Sequence, residues 1–169
     1  MTINMKKSPS KIILGIDPGF ATIGYGAISI TAGNPTALNY GCLHTKPDVP
    51  FSKRLLQIFN EITALITDST PDVIGVEKLF FEKNSKTAIE VSHARGVILL
   101  AAERAGIPIA ECTPLQVKLA ATGYGKADKR QVQQMILRVL KLKEIPRPDD
   151  TADALAIALC ASSMRTSHF

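Results

Sequence analysis

Two periods of apolar spacing run along this chain, and each stretch predicts an element. Lys11 to Asp17 (KIILGID) is an unbroken apolar run closed by Asp-Pro-Gly, which predicts a buried strand ending in a sharp turn. Pro18 disfavours helical angles at the residue before it, so Asp17 belongs to the strand end. Ile23 to Ile30 and Ala37 to Leu43 predict two more strands. Turn chemistry at Gly33-Asn34-Pro35 would join them into an antiparallel meander. Phe51 to Ile66 then changes to helical spacing, with Leu55, Leu56, Ile58, Phe59, Ile62, Leu65 and Ile66 forming an apolar stripe, and Pro71 ends it.

Asp72 to Glu77 (DVIGVE) is a short apolar strand, again closed by an acid. A loop from Lys78 to Ser85 carries Phe80 and Phe81. Thr87 to Arg104 is helical and ends at Gly106. Ile107 to Cys112 predicts a fifth strand, and Pro114 suits the first turn of the next helix. Gly123 and Gly125 split Lys118 to Lys129 into helix, basic loop and helix. Val132, Met135, Ile136, Val139 and Leu140 give the following helix an apolar stripe, and Asp150 to Met164 is a last, alanine-rich helix. This order predicts an α/β domain with a mixed five-stranded sheet flanked by helices. Residues 1–10 are polar and basic and predict a flexible leader; residues 11–169 predict one domain.

Composition narrows the classes. A hydrophobic fraction of 46% is ordinary for a folded domain. No apolar stretch approaches the roughly 20 residues a membrane helix needs, so no membrane partner is expected. Cys42, Cys112 and Cys160 lie in apolar contexts without metal-ligand spacing, as buried free thiols of a reducing cytoplasm would. The net charge is +5, and the segment from Glu111 to Arg147 holds the whole excess. That asymmetry predicts either a polyanion bound on one side or a pair of solvated basic helices.

The acids carry the chemistry. Asp17 and Glu77 each close an apolar strand, and ligands of open α/β sheets gather beyond the carboxyl ends of strands. Asp150 and Asp153 stand three apart and share a helix face. Singly, each acid has a structural explanation: a turn acceptor, a solvated strand end, or a complement to the helix dipole. Together, four carboxylates repel unless cations neutralise them. Oxygen-only ligands suit Mg2+, or Mn2+ in its place. Two such ions about 4 Å apart can activate water and stabilise the leaving oxygen in phosphodiester hydrolysis.

The same residues carry a family resemblance. GIDPGFATIGYG (15–26), VIGVEKLFFEKN (73–84), SHARGV (92–97) and DDTADALAIAL (149–159) resemble, in this order, the RuvC-type Holliday-junction resolvases. The resemblance spans Lys11 to Met164. It implies a ribonuclease-H-like fold and a cytoplasmic homodimer acting in homologous recombination and DNA repair. It also implies magnesium-dependent, paired and symmetric cleavage of four-way DNA junctions alongside a branch-migration helicase complex. It maps the catalytic and metal-binding acids onto Asp17, Glu77, Asp150 and Asp153, the third acid being a histidine in some members. It places the base-stacking aromatic at Phe80, with Phe81 a second candidate, and DNA-contacting lysines at Lys118 and Lys129. Lys126 and Arg130 join that set as cations able to neutralise phosphates. His93 reads as a surface or interface residue, and Arg95 as either a phosphate contact or a bridge between helices. Gly-Ile-Asp-Pro-Gly before a hairpin also resembles the phosphate loop of actin-like ATPases and sugar kinases. That reading leaves the Asp-x-x-Asp helix start without a role.

Overall fold

The computed structural model describes residues 10–79 and 87–164. Its elements are β1 (Lys11–Asp17), β2 (Thr22–Thr31), β3 (Asn34–His44), α1 (Phe51–Ser69), β4 (Val73–Glu77), α2 (Ala88–Arg104), β5 (Ile109–Cys112), α3 (Pro114–Thr122), α4 (Lys129–Val139) and α5 (Asp149–Ser163). The strands form one sheet in the order β3-β2-β1-β4-β5. The first three make an antiparallel meander, and β4 and β5 add in parallel beside β1.

Helices cover both faces, which explains why β1 and β4 are apolar without alternation. Ile13, Ile28 and Val73 pack with α3, α4 and α5 in one core, through Val117, Ile136, Leu155 and Ile157. Leu14, Ile16, Ile74 and Val76 pack with α1 and α2 in the other, against Ile58, Ile62, Ala94 and Ile98. Side chains alternate along a strand. Odd positions of β1 and β4 therefore face α5, and even positions face α1 and α2.

Two boundaries differ from expectation. The β2–β3 turn is centred on Ala32 and Gly33, both at positive φ (50° and 79°), rather than on Gly33-Asn34-Pro35. These angles match a tight two-residue hairpin, closed by the pairing of Thr31 with Asn34. Pro35 lies inside β3, where an edge strand tolerates it. β5 starts at Ile109 rather than Ile107, because Ile107 N–H donates to Ala102 O and serves the end of α2. Thr113 and Asp128 each cap a helix reciprocally with a glutamine, Gln116 and Gln131, which fixes where α3 and α4 begin.

Candidate active site

The site is built from strand parity. Asp17 follows Ile13 and Gly15 on the odd face of β1, and Glu77 follows Val73 and Gly75 on the odd face of β4. The two strands are parallel neighbours, with Gly15 opposite Gly75 and Ile16 opposite Val76. Both carboxylates therefore leave the same rim on the face that α5 covers.

A row of glycines brings α5 to that rim. Gly26, Gly15 and Gly75 lie side by side across β2, β1 and β4. A Cβ at Gly15 would stand 2.1 Å from Ala154 O and 2.5 Å from Ala158 N, and one at Gly75 would stand 2.7 Å from Ala161 Cβ. The helix backbone thus rests almost directly on the sheet, which only glycine permits. Two residues along β2, Gly24 pairs with Asp17. A Cβ there would meet Asp150 O at 2.0 Å. The first turn of α5 is thereby set over the residue opposite Asp17, and Asp150 and Asp153 join the two strand-end acids.

The electrostatics follow. Burial pushes the Asp17 carboxyl up to about 8; the charges of Asp153, Glu77 and Asp150 push the same way, and Lys129 opposes them. Burial also raises Glu77, with Asp153 adding and Lys118 opposing. Burial raises Asp153 too, against the pull of Lys129. All four acids therefore act within one field. Among the described residues, no three His, Cys, Asp or Glu side chains are gathered tightly enough to hold an ion as they stand. Coulombic coupling reaches farther than ligand contact, so the two observations are compatible. A half-buried cluster of carboxylates with oxygen donors only fits a hard divalent cation.

The basic residues divide. Lys129 Nζ lies 3.1 Å from Asp153 Oδ2 and 3.4 Å from Asp149 Oδ2, inside the acid cluster. Lys118, on α3, is close enough to lower Glu77. Lys126 and Arg130 are exposed on the turn before α4 and on its first turn, outside the cluster. Phe80 and Phe81 lie outside the described residues, as does His168. His93 is exposed on α2, its Nδ1 2.7 Å from Ile89 O and its ring edge-on to Phe51.

Three residues support the site, and two of them, Arg54 and Thr151, have no readable signal in the sequence. Arg95 bridges α2 to two strands rather than to another helix: its Nε donates to Glu77 O at 3.1 Å, and its guanidinium pairs with Glu111 on β5. Arg54 is buried on α1, donates to Thr45 Oγ1 at 2.9 Å and lies 3.8 Å over the Phe20 ring. Thr45 in turn donates to Phe20 O at 2.6 Å, so this pair clamps the loop that follows Asp17. Thr151 holds the half-buried Cys42 thiol at 3.2 Å beside the site. Arg54 and Thr151 read as ordinary helix positions, because the partners that give them a role are distant in sequence.

Comparison with known proteins agrees with this architecture. The family model for "Crossover junction endodeoxyribonuclease RuvC" matches residues 13–161. A crossover junction endodeoxyribonuclease RuvC of Syntrophomonas wolfei is 52% identical over 158 residues, covering 93% of this chain and 92% of that protein. The Thermus thermophilus RuvC structure superposes with a TM-score of 0.81 at 36% identity, over 88% of this chain and 92% of that one. The same protein in complex with Holliday junction substrate gives 0.79 at 34% identity, over 89% and 91%. The mixed sheet with helices on both faces is accordingly ribonuclease-H-like. With the family model matched across nearly the whole fold and half the residues shared with a relative, the chain belongs to the RuvC family of crossover junction endodeoxyribonucleases.

Proposed function

We propose that this protein resolves four-way DNA junctions by paired, symmetric, magnesium-dependent phosphodiester hydrolysis during homologous recombination and repair. The observation that carries this reading is the shared field of Asp17, Glu77, Asp150 and Asp153 at one sheet rim. These four carboxylates would hold Mg2+, or Mn2+ in its place. Bound there, the cation supplies an activated water and stabilises the leaving oxygen. Asp17 and Glu77 are fixed by strand ends, and Asp150 and Asp153 by the helix seated on the glycine row. Lys129 and Lys118, already beside the acids, suit the phosphates flanking the cut. Lys126 and Arg130 extend the cationic surface, and Phe80 or Phe81 takes an unstacked base.

The reading includes a homodimer, because a four-way junction has approximate two-fold symmetry and needs one cut on each of two strands. Leu100 and Ile89 are exposed on α2, and Leu56 on α1. A groove of about 420 Å³ lined by Leu55, His93, Gly96 and Leu100 runs between the two helices. This apolar face suits a second copy. No helix among the described residues is long and apolar enough to cross a membrane. A cytoplasmic location and a branch-migration helicase partner complete the reading.

The direct test incubates the protein with a synthetic four-way junction and with linear duplex, each with and without magnesium. Paired nicks in the junction, absent without the metal, are expected. Equal cutting of linear duplex would sink junction selectivity. Asp17→Asn should abolish cutting and leave junction binding largely intact.

A further inference from the structure

A second cleft lies on the far side of α4 from the acids. It has a volume of about 380 Å³ and is lined by Thr122, Tyr124, Asp128, Arg130, Gln134 and Arg138, among others. Arg130, Gln134 and Arg138 are four apart, so they form one stripe along the helix. Among the described residues the ion pairs are Arg95–Glu111 and those of Lys129; neither Arg130 nor Arg138 is in any of them. The acid in the lining, Asp128, is committed to capping α4 through Gln131 N–H. The cleft therefore presents two unneutralised guanidinium groups.

Tyr124 forms its other wall and is 56% exposed. Its exposure is imposed by a preorganised turn. Thr122 Oγ1 donates to Lys118 O at 2.8 Å and accepts from Tyr124 N–H at 3.0 Å, and Ala127 N–H closes the turn on Tyr124 O. Gly123 takes the left-handed conformation at the end of α3. At Gly125 a Cβ would lie 2.5 Å from Leu115 Cδ1, so the turn packs closely on α3. An exposed aromatic on a hydrogen-bonded turn, beside two arginines outside any ion pair among the described residues, is a ready surface for sugar and phosphate.

We infer that this cleft grips the sugar–phosphate backbone of one junction arm as it leaves the cut site, with Arg130 and Arg138 on two of its phosphates about 12 Å apart along the helix and Tyr124 against the sugar. The inference rests on the junction-cleaving function proposed above and assigns the path of the arm. Lys129 fixes the starting point, since its ammonium is bonded to Asp153. From Lys129 to Arg138 the helix advances roughly 13 Å, or about four base pairs of B-form rise. The grip is sequence-independent, because it touches backbone only.

The test measures binding of a fixed-sequence four-way junction in EDTA, over a range of salt, for the parent, Arg138→Ala, Tyr124→Ala and Tyr124→Phe. Arg138→Ala should bind about tenfold more weakly, with a log–log salt slope shallower by about one. Tyr124→Phe should match the parent, and Tyr124→Ala should not. A single uncharged methylphosphonate about four nucleotides from the cut should weaken the parent and leave Arg138→Ala unaffected. All these side chains are on the surface, so circular dichroism should show the variants folded as the parent is. If the parent cuts junctions and Arg138→Ala keeps its affinity and salt slope, the arm path is wrong and the function stands. A loss confined to Tyr124→Ala would also overturn the backbone grip. A parent that neither binds nor cuts junctions would overturn both readings.

Discussion

The ammonium of Lys129 sits 3.1 Å from the carboxylate of Asp153, so the first residue of α4 is bonded into the acid cluster at the start of α5. Burial raises the Asp153 carboxyl, and this lysine is the main charge opposing the rise. Lys129 thus occupies electrostatically the place a divalent cation would take. Lys129→Ala should lower the magnesium concentration for half-maximal thermal stabilisation by about threefold, a modest factor because the lysine is half exposed and screened. Melting curves against magnesium concentration, without DNA, give the readout. A requirement for more magnesium would mean that the lysine shapes the site instead of competing for it.

Asp17 should make stability depend on pH in a fixed direction. Its ordinary value is 3.8 and its folded value about 8, so between these the folded chain holds a proton the unfolded chain has released. The stabilisation is complete below the unfolded value and is lost as pH rises through the folded one. In EDTA, the melting temperature should fall from about pH 5 to about 9, and Asp17→Asn should flatten that fall. At the alkaline end the variant should be the more stable protein. Magnesium should rescue the parent there and do little for the variant. Identical pH profiles in EDTA would show that the carboxylate is not destabilised in the fold.

The strands holding Asp17 and Glu77 were legible in the sequence because each is an apolar run closed by an acid. Their adjacency and shared face were not. Parity assigns Asp17 to the α5 side only when Leu14 and Ile16 are known to pack on α1 and α2. Period alone places Lys129 on a basic helix and says nothing of its contact with Asp153, because that contact depends on how α4 crosses α5. Gly15, Gly26 and Gly75 read along the chain as weak points in strands. Across the sheet they are one row beneath a helix.

That row supports a stability prediction. The Cβ of Gly15→Ala would collide with backbone atoms of Ala154 and Ala158, which cannot rotate away. Overpacking usually costs roughly 1–3 kcal/mol, and a clash with backbone belongs at or above the upper end. Urea denaturation should show the loss. Cleavage should also fall in the folded fraction, because α5 carries Asp150 and Asp153 and must lift off the sheet. A fully stable, fully active variant would contradict the seating of the helix.

Arg95 gives a prediction that separates positioning from binding. Its Nε donates to the backbone carbonyl of Glu77, and its guanidinium pairs with Glu111, so one side chain ties α2 to the ends of β4 and β5. It is mostly buried, which leaves it poorly placed to contact phosphate. A lysine keeps the charge but lacks the planar fork that serves two acceptors together. Arg95→Lys should therefore lower the cleavage rate at saturating protein by about tenfold, because small displacements of reacting groups cost rate steeply. Junction affinity and its salt slope should stay near the parent's, since no phosphate contact is lost. The stability loss should be about 1 kcal/mol, the usual net value of one hydrogen bond. A shallower salt slope, with the cleavage rate unchanged, would instead make Arg95 a phosphate ligand.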